Sequence, residues 1–275
     1  WLERDGKDIS KVSLEACPKD INKEIGKLYF SDDSFNTILT SATLTHVKSD
    51  KDEINYSYFI RTTDFPTDKD KAFLSSPKES LFPYDKHAII YTTDNMPYYK
   101  NDRDDFIEKG IKEIINLVKI TNGKTLILFT SKKDMNEVYN KLKSLKLPWN
   151  ILIQNDSSSQ SEILSSFKMD VDSILLGTGT FWEGIDIKGE ALSCVIIFRL
   201  PFPVPDPIIK YKCEISRDKM FEVLLPHMII KLKQGVGRLI RNKTDKGIIA
   251  ILDPRLGNKS KENYKDIVWN ALPIK

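Results

Sequence analysis

The sequence predicts an α/β protein with a central, mainly parallel β-sheet flanked by helices. Short apolar runs rich in β-branched residues recur through its second half, and helical patterns separate them. The runs do not alternate between apolar and polar residues, as expected for strands that are buried on both faces of a parallel sheet. Strands that alternate with helices along a chain are typical of this fold class. The predicted strands are Leu126–Thr130, Ile151–Gln154, Ser173–Thr178, Cys194–Leu200 and Ile248–Asp253.

Amphipathic helices are predicted beside these strands. Two of them cover Asp134–Leu145 and Ser159–Phe167. A third precedes the first strand, because apolar residues recur there at the spacing of one helix face. These residues are Ile107, Ile111, Ile114, Ile115 and Val118.

The N-terminal part of the chain is less regular. Thr37–Leu39 predicts a buried strand, and the polar stretch Lys48–Asp52 favours a linker or an exposed loop. Further on, Pro201–Pro207 has proline at alternate positions, which excludes a helix or a central strand. We interpret this run as a rigid extended connection, with a PxxP-like ligand as the alternative.

Length and composition restrict the class of protein. At 275 residues, the chain is long enough for one large domain or two smaller ones. Its hydrophobic content of 40% and charged content of 29% argue against a disordered or fibrous protein. No apolar run approaches the roughly 18 residues of a membrane span, so no membrane partner is expected. Because the chain begins at Trp1 without an initiator Met, we expect a fragment of a longer protein.

The cysteines and histidines do not suggest a metal centre. Cys17, Cys194 and Cys213 lie far apart, which argues against a disulfide scaffold or a CxxC metal site. The histidines are equally scattered. We therefore expect no metal site in this chain and a reducing, cytoplasmic location.

Positive charge is concentrated near the C-terminus. Residues 210–275 contain 15 Lys/Arg against 7 Asp/Glu, a net charge of +8. This part of the chain can face the phosphates of a nucleic acid or a nucleotide, although solvated lysines are an equally good interpretation. Arginine is more informative, since the chain has 34 Lys but only 8 Arg. Arginines retained in such a composition suggest sites that need a planar, bidentate donor, and Arg238, Arg241 and Arg255 fall close together.

The segment from Gln234 to Arg241 reads QGVGRLIR, and it predicts a phosphate-binding helix face. At about 100° per residue, Gln234, Arg238 and Arg241 emerge together on the side opposite an apolar stripe. Gly235 and Gly237 flank this polar face and would let a backbone or a ligand approach closely. Two guanidinium groups and a carboxamide suit a polyphosphate, whereas a solvated helix face is the plain alternative. The stripe comprises Phe221, Leu224, Leu225, Met228, Ile229, Leu232, Val236, Leu239 and Ile240.

The segment Asn122–Thr125 only imitates a phosphate-binding loop. It reads NGKT, but position 118 is Val where a P-loop requires Gly. A helix is predicted before it and a strand after it, which is the reverse of the P-loop order. The segment is therefore predicted to be a helix-to-strand turn.

Several segments, taken in order, resemble the motifs of superfamily-two helicases. Gln234–Arg241 is similar to motif VI (QxxGRxxR), Thr40–Leu44 to motif III (TSAT), and Leu126–Ser131 to motif IV. Gly177–Asp186 resembles motif V in its FWEGID form. This form, with the LPFPVPDP and ILDPRL segments that follow, is similar to the XPD/DinG branch and most of all to bacterial DinG.

The resemblance implies a second RecA-like helicase lobe at residues 48–275, with residues 1–47 ending the first lobe. ATP would bind between the lobes, with the Walker A loop and the Mg²⁺ ligands supplied by the missing lobe. Any iron–sulfur cluster, which is frequent in this branch, would also belong to the missing half. The expected partners are single-stranded DNA and the first lobe, and the expected activity is 5′-to-3′ DNA unwinding driven by ATP.

The resemblance also assigns roles to single residues. Arg238 and Arg241 match the arginine fingers, and Gln234 matches a nucleotide-contacting glutamine. The remaining matches are Gly184 and Asp186 at the nucleotide-coupled lobe interface, Ser131, Thr178 and Thr180 as DNA contacts, and Ser41 and Thr43 as coupling residues.

Three hypotheses are open at this point. The chain is either the helicase lobe just described, inactive as an ATPase on its own, or a nucleotide-regulated DNA-binding module attached to an exonuclease. A non-helicase α/β nucleotide-binding domain is the third possibility.

Overall fold

A computed structural model shows that the chain divides into two compact units. The smaller unit contains residues 1–78 and 202–227, and the larger unit contains residues 79–201 and 228–275. The division predicted at residue 47 stays a prediction, because residues 45–55 are not described. The structure describes residues 2–4, 12–32, 34–41, 43–44, 56–68, 70–76, 82–155, 158–183, 185, 187 and 191–273.

Helices and strands alternate through most of the chain. The described residues also include the short 3₁₀ segments Gly179–Trp182 and Pro254–Leu256 and a π-helical segment, Met220–Leu224. In chain order the elements are β1 (Leu2–Arg4), β2 (Val12–Leu14), α1 (Ile21–Phe30), α2 (Ser57–Thr63), α3 (Tyr84–His87), β3 (Ala88–Thr92), α4 (Arg103–Thr121), β4 (Thr125–Leu128), α5 (Lys132–Ser144), β5 (Ile151–Ile153), α6 (Gln160–Met169), β6 (Ile174–Gly177), β7 (Cys194–Ile197), α7 (Pro207–Ile215), α8 (Leu225–Val236), β8 (Gly247–Ile251) and α9 (Lys265–Ala271).

The larger unit is built on a six-stranded sheet with the strand order β3-β8-β7-β4-β6-β5. Every pair in this sheet is parallel, so the carboxyl ends of all six strands lie along one edge, called here the carboxyl edge. The central strands β4, β6 and β7 are fully buried, as the predicted lack of alternation requires. Cys194 lies in β7 with no exposed surface. The predicted fold class is confirmed.

The five predicted strands are all present, although each of them ends one to three residues earlier than expected from sequence. Strand β3 was not predicted. Among the described strands it pairs with β8 alone, at the margin of the sheet, and Ile89 within it is 68% exposed. The edge position weakens the burial pattern on which the sequence analysis relied.

Helix α4 confirms the predicted apolar face. Of its five residues, Ile107, Ile111, Ile114 and Val118 are buried, and Ile115 is partly buried against the same core. Its N-terminus is capped by Asp102, whose carboxylate accepts from the Asp105 backbone N–H at 2.9 Å. The helix ends at Asn122 in the left-handed region, and β4 begins at Thr125. The predicted helix-to-strand turn is therefore confirmed.

The smaller unit joins the antiparallel pair β1–β2 to a helical part. Helices α1 and α2 pack through aromatic rings, with Phe65 5.2 Å from Phe30 and 5.5 Å from Phe59 between ring centroids. Helix α7 begins at Pro207 behind Asp206, whose carboxylate accepts from the Ile209 N–H at 2.7 Å. Proline is well tolerated there, since the first helical N–H has no partner within the helix. Residues 201–206 are neither helix nor strand, as predicted.

The predicted strand at Thr37–Leu39 is wrong. Residues 36–41 have no regular secondary structure, and Ile38 is 88% exposed. Within the described part of the chain, no neighbouring strand supplies the backbone partners that would turn this β-branched run into a ladder. None of the described helices combines the length and the apolar character needed to cross a bilayer.

Gly123→Ala is expected to destabilise the larger unit. Gly123 has φ of +80°, and a Cβ would lie 2.1 Å from the Asp172 carbonyl oxygen. Left-handed strain and the steric clash together should lower the free energy of unfolding by about 2–4 kcal/mol. Gly179→Ala is the control, because φ is +53° there but nothing lies within 4 Å of the added Cβ. Equal losses in denaturant unfolding of the two variants would contradict this expectation.

Candidate nucleotide and nucleic-acid site

The QGVGRLIR segment lies at the end of α8. Met228, Ile229, Leu232 and Val236 are buried, so the apolar stripe faces the core as predicted. The helix nevertheless ends at Val236, and the predicted continuation of helical geometry through Arg241 is wrong. The backbone tightens after this point, because Arg238 N–H bonds the Gly235 carbonyl at 3.1 Å instead of the carbonyl one residue earlier.

A buried carboxylate then reverses the chain. Asp245 is 7% exposed and accepts the backbone N–H groups of Arg241 at 2.8 Å and of Asn242 at 3.0 Å. Leu239 and Ile240, which lie between the end of α8 and Arg241, are buried. The backbone of Arg241 is therefore fixed by a turn and not by a helix.

Arg238 and Arg241 converge on one backbone carbonyl. Nη1 of Arg238 and Nη2 of Arg241 each donate to the carbonyl oxygen of Ile185 at 2.6 Å. Nε of Arg238 also donates to the Gln234 carbonyl at 3.1 Å. The structure thus brings the predicted arginine pair together through the segment that follows β6. The predicted residues Gly184 and Asp186, on either side of Ile185, lie outside the described residues.

Tyr84 is a buried neighbour of this arginine pair that the sequence analysis missed. Tyr84 lies at the start of α3, and only 7% of its surface is exposed. Burial raises the pKa of Tyr84, and the positive charges of Arg241 and Arg238 partly oppose that shift. A tyrosine in an irregular stretch of sequence gives no signal of such proximity.

Gly235 packs against a tryptophan. A Cβ at Gly235 would lie 2.9 Å from the ring of Trp182 and 3.1 Å from Ile197. The close approach predicted at this glycine is therefore made by a core side chain, and not by a ligand. Trp182 is itself fully buried, and its indole N–H donates to the Phe129 carbonyl at 2.8 Å.

The predicted DNA contacts lie at or beside the carboxyl edge. Ser131 follows β4 and caps α5, where its hydroxyl oxygen accepts from the Asp134 N–H at 3.2 Å. Its own hydroxyl hydrogen can still be donated to a ligand. Thr178 follows β6, is 8% exposed, and donates its backbone N–H to Gln154 Oε1 at 2.8 Å. Thr180 is exposed and lies in the 3₁₀ turn that comes next.

The predicted coupling residues lie in the smaller unit. The hydroxyl oxygens of Ser41 and Thr43 are 3.3 Å apart, and Ser41 Oγ accepts from the Thr43 N–H at 3.2 Å. Both side chains thus form one local turn. Among the described residues, no group of three or more His, Cys, Asp and Glu side chains is placed to hold a metal ion.

Arg255, the third arginine of the C-terminal cluster, is committed to an internal ion pair. Its Nε and Nη2 bind the two carboxylate oxygens of Asp253 at 2.8 and 2.7 Å. Asp253 also accepts the Leu200 backbone N–H at 2.9 Å. The bidentate donor expected from sequence therefore joins the ends of β7 and β8.

Comparison with known proteins assigns most of the larger unit, including the QGVGRLIR segment, to a family. The family model of the helicase C-terminal domain matches residues 114–274, which is more than half of the chain. The chain belongs to this helicase C-terminal domain family. A solved XPD helicase superposes with a TM-score of 0.69 over 94% of this chain and 45% of that one, at 18% identity. This likeness confirms the RecA-like fold.

Bacterial DinG proteins are among the relatives in sequence. The chain is 31% identical to the 3′-5′ exonuclease DinG of Bacillus subtilis, over 99% of this chain and 29% of that protein. It is 30% identical to the ATP-dependent helicase DinG of Mycobacterium tuberculosis, over 99% of this chain and 40% of that protein. The predicted membership of a DinG-like helicase lobe is confirmed. The chain spans less than half of the length of these relatives.

Gly235→Ala is expected to destabilise the larger unit through Trp182. The added methyl group meets a ring that is buried and held by its indole N–H, so we expect a loss of about 1–3 kcal/mol. A double-mutant cycle with Trp182→Leu isolates the contact, because the smaller side chain removes the ring that the methyl group meets. The two changes should couple by about 0.5–3 kcal/mol in denaturant unfolding. Strictly additive losses would contradict the proposed contact.

Proposed function

We propose that this chain is the second RecA-like lobe of an ATP-dependent DNA helicase that moves 5′ to 3′ along single-stranded DNA. In this proposal residues 1–47 end the first lobe and residues 48–275 form the second. The observation that carries the proposal is the convergence of Arg238 and Arg241 on the carbonyl of Ile185. Family membership supports it independently.

The convergence suits the stabilisation of a phosphoryl group. Two guanidinium groups are aimed at one oxygen acceptor, and a backbone carbonyl carries only a partial negative charge. The γ-phosphate of ATP offers fully charged oxygens, for which arginine is the preferred bidentate donor. Arginines of this kind accelerate phosphoryl transfer by about 10³–10⁵-fold. Gln234, Gly184 and Asp186 complete the proposed nucleotide contacts from this lobe.

The carboxyl edge suits contact with a nucleic-acid backbone. Ser131, Thr178 and Thr180 lie at or just beyond the ends of the neighbouring strands β4 and β6. Hydroxyl and backbone donors of this kind bind phosphates without reading bases. We therefore propose sequence-independent binding of single-stranded DNA, with Ser41 and Thr43 coupling hydrolysis to movement.

The remaining parts of the proposal concern the complete protein. ATP would bind with Mg²⁺, whose ligands and P-loop come from the first lobe, and any iron–sulfur cluster would belong to that half as well. A cytoplasmic location is part of the same proposal. A strand-displacement assay with either a 5′ or a 3′ single-stranded tail measures the direction, and unwinding from the 3′ tail alone would overturn the proposed polarity.

Arg241→Ala in the full-length protein is expected to lower DNA-stimulated ATP hydrolysis by about 10³-fold, because one transition-state contact is lost. Arg238→Lys keeps the charge but removes the planar donor, and should also lose most of the turnover. Arg217→Ala is the matched control, since this exposed arginine lies in the smaller unit. Turnover in Arg241→Ala equal to that of the control would overturn the assignment.

The chain of 275 residues should not hydrolyse ATP by itself. The P-loop that must hold the β- and γ-phosphates is expected from the first lobe. The measurement is phosphate release by the purified chain with and without single-stranded DNA. Turnover by the pure chain that Arg241→Ala leaves unchanged would contradict the proposal.

A second candidate is a nucleotide-regulated DNA-binding module that serves an attached exonuclease. The Bacillus subtilis relative is named as a 3′-5′ exonuclease, and this chain covers only 29% of it. The two candidates differ in the full-length protein. The helicase couples DNA-stimulated hydrolysis to strand displacement, whereas the second candidate degrades DNA from the 3′ end and binds it without stimulated turnover.

A further inference from the structure

Arg199 follows β7 at the carboxyl edge and is held there by two neutral side chains. Its guanidinium carbon lies 3.9 Å from the centroid of the Tyr99 ring. Its Nε and Nη2 donate to Thr130 Oγ1 at 3.2 and 2.9 Å. The side chain is half-buried, so the guanidinium has lost part of its hydration. An arginine clamped in this way has a fixed plane and a fixed direction.

Arg199 has no carboxylate within ion-pair distance in the parts of the chain that the structure describes. Two other half-buried arginines of the larger unit, Arg103 and Arg255, differ in this respect. Arg103 binds Asp134 and Glu137, both at 2.7 Å, and Arg255 binds Asp253. A partly desolvated charge that faces only neutral partners is costly, and an external anion lowers that cost.

The register of the sheet places Arg199 in a row with the proposed DNA contacts. Leu128 of β4 lies opposite Ile197 of β7 and opposite Gly177 of β6. Each of these three strands is followed within three residues by a polar side chain: Arg199 after β7, Ser131 after β4 and Thr178 after β6. Neighbouring strands are about 4.8 Å apart, so the three positions follow one another along the carboxyl edge.

We propose that Arg199 binds the phosphodiester backbone of single-stranded DNA beside Ser131. This inference rests on the proposed function, and it adds a cation to a row that otherwise offers neutral donors. Thr130 and Tyr99 are positioning residues, since they hold the guanidinium without touching the ligand. A phosphate oxygen would accept from Nη1, for which no acceptor is seen among the described residues. Contact with the backbone carries no base preference.

The experiment measures binding of a labelled oligothymidylate to the full-length protein over a series of salt concentrations. Arg199→Gln is expected to weaken binding about tenfold, as for the loss of one hydrogen bond to a charged group. The slope of log affinity against log salt should fall by about 0.7, the value for one phosphate contact with a single strand.

A matched control separates this contact from general electrostatics. Lys119→Gln removes the same charge from an exposed position near the end of α4, whose C-terminus leads into the amino end of β4. Its affinity and salt slope should match those of the unaltered protein. If Arg199→Gln and Lys119→Gln are indistinguishable, the inference is wrong.

Two further variants test whether Arg199 only joins neighbouring loops. Arg199→Lys keeps the charge without the planar stack, so the salt slope should be retained while affinity falls severalfold. Thr130→Val removes the acceptor that orients Arg199 and should weaken DNA binding less than Arg199→Gln does. A purely structural role predicts a different pattern, in which Arg199→Lys and Thr130→Val lower the melting temperature equally and Arg199→Gln leaves the salt slope unchanged.

Failure of the inference can be told apart from failure of the proposed function. If the unaltered protein does not bind the oligonucleotide, the helicase proposal itself fails, and the role of Arg199 fails with it. If the protein binds and Ser131→Ala weakens binding while Arg199→Gln does not, only the role of Arg199 is overturned.

Discussion

The buried indole of Trp182 fixes the relative positions of three segments in the larger unit. Its N–H donates to the Phe129 carbonyl at the end of β4, its backbone belongs to the turn after β6, and its ring packs on Gly235 of α8. An indole without an acceptor would be costly at such a site, so the orientation of the ring is strongly determined. Trp182 therefore contacts the three segments that precede the polar groups of the site. These groups are the hydroxyls after β4 and β6 and the arginines after α8.

The polar groups of the site are positioned mainly by backbone hydrogen bonds. Ser131 caps a helix, Asp245 holds the N–H groups of Arg241 and Asn242, and the Ile185 carbonyl gathers two guanidinium groups. Such contacts depend on the course of the chain more than on neighbouring side chains. A site of this design depends for its shape on the backbone that carries it.

Helices and strands could be predicted from the sequence where burial repeats with a regular period. Strands such as β4 and the apolar face of α4 could be predicted, because two-sided burial and the helical period leave a pattern in residue type. Strand β3 was missed because its exposed edge dilutes that pattern. The strand predicted at Thr37–Leu39 is absent because a β-branched run forms a strand only when another strand pairs with it.

The candidate site was predictable in its membership but not in its geometry. The QGVGRLIR segment identified Arg238 and Arg241, yet helical geometry could not show that α8 ends at Val236 or that Ile185 is the meeting point. Tyr84 and Arg199 were missed, since their significance depends on contacts between residues distant in sequence. Gly235 was recognised as a point of close approach, but only packing shows that Trp182 makes the approach.

The buried thiol of β7 has a practical consequence for spectroscopy. Burial raises the pKa of Cys194 to about 12, so its thiolate is scarce at neutral pH and sheltered from reagents. Cys17 and Cys213 are both partly exposed and both belong to the smaller unit. Maleimide dyes will therefore label the smaller unit and not the larger one. This gives a fluorescent reporter on a single unit of this chain without removing any of its cysteines.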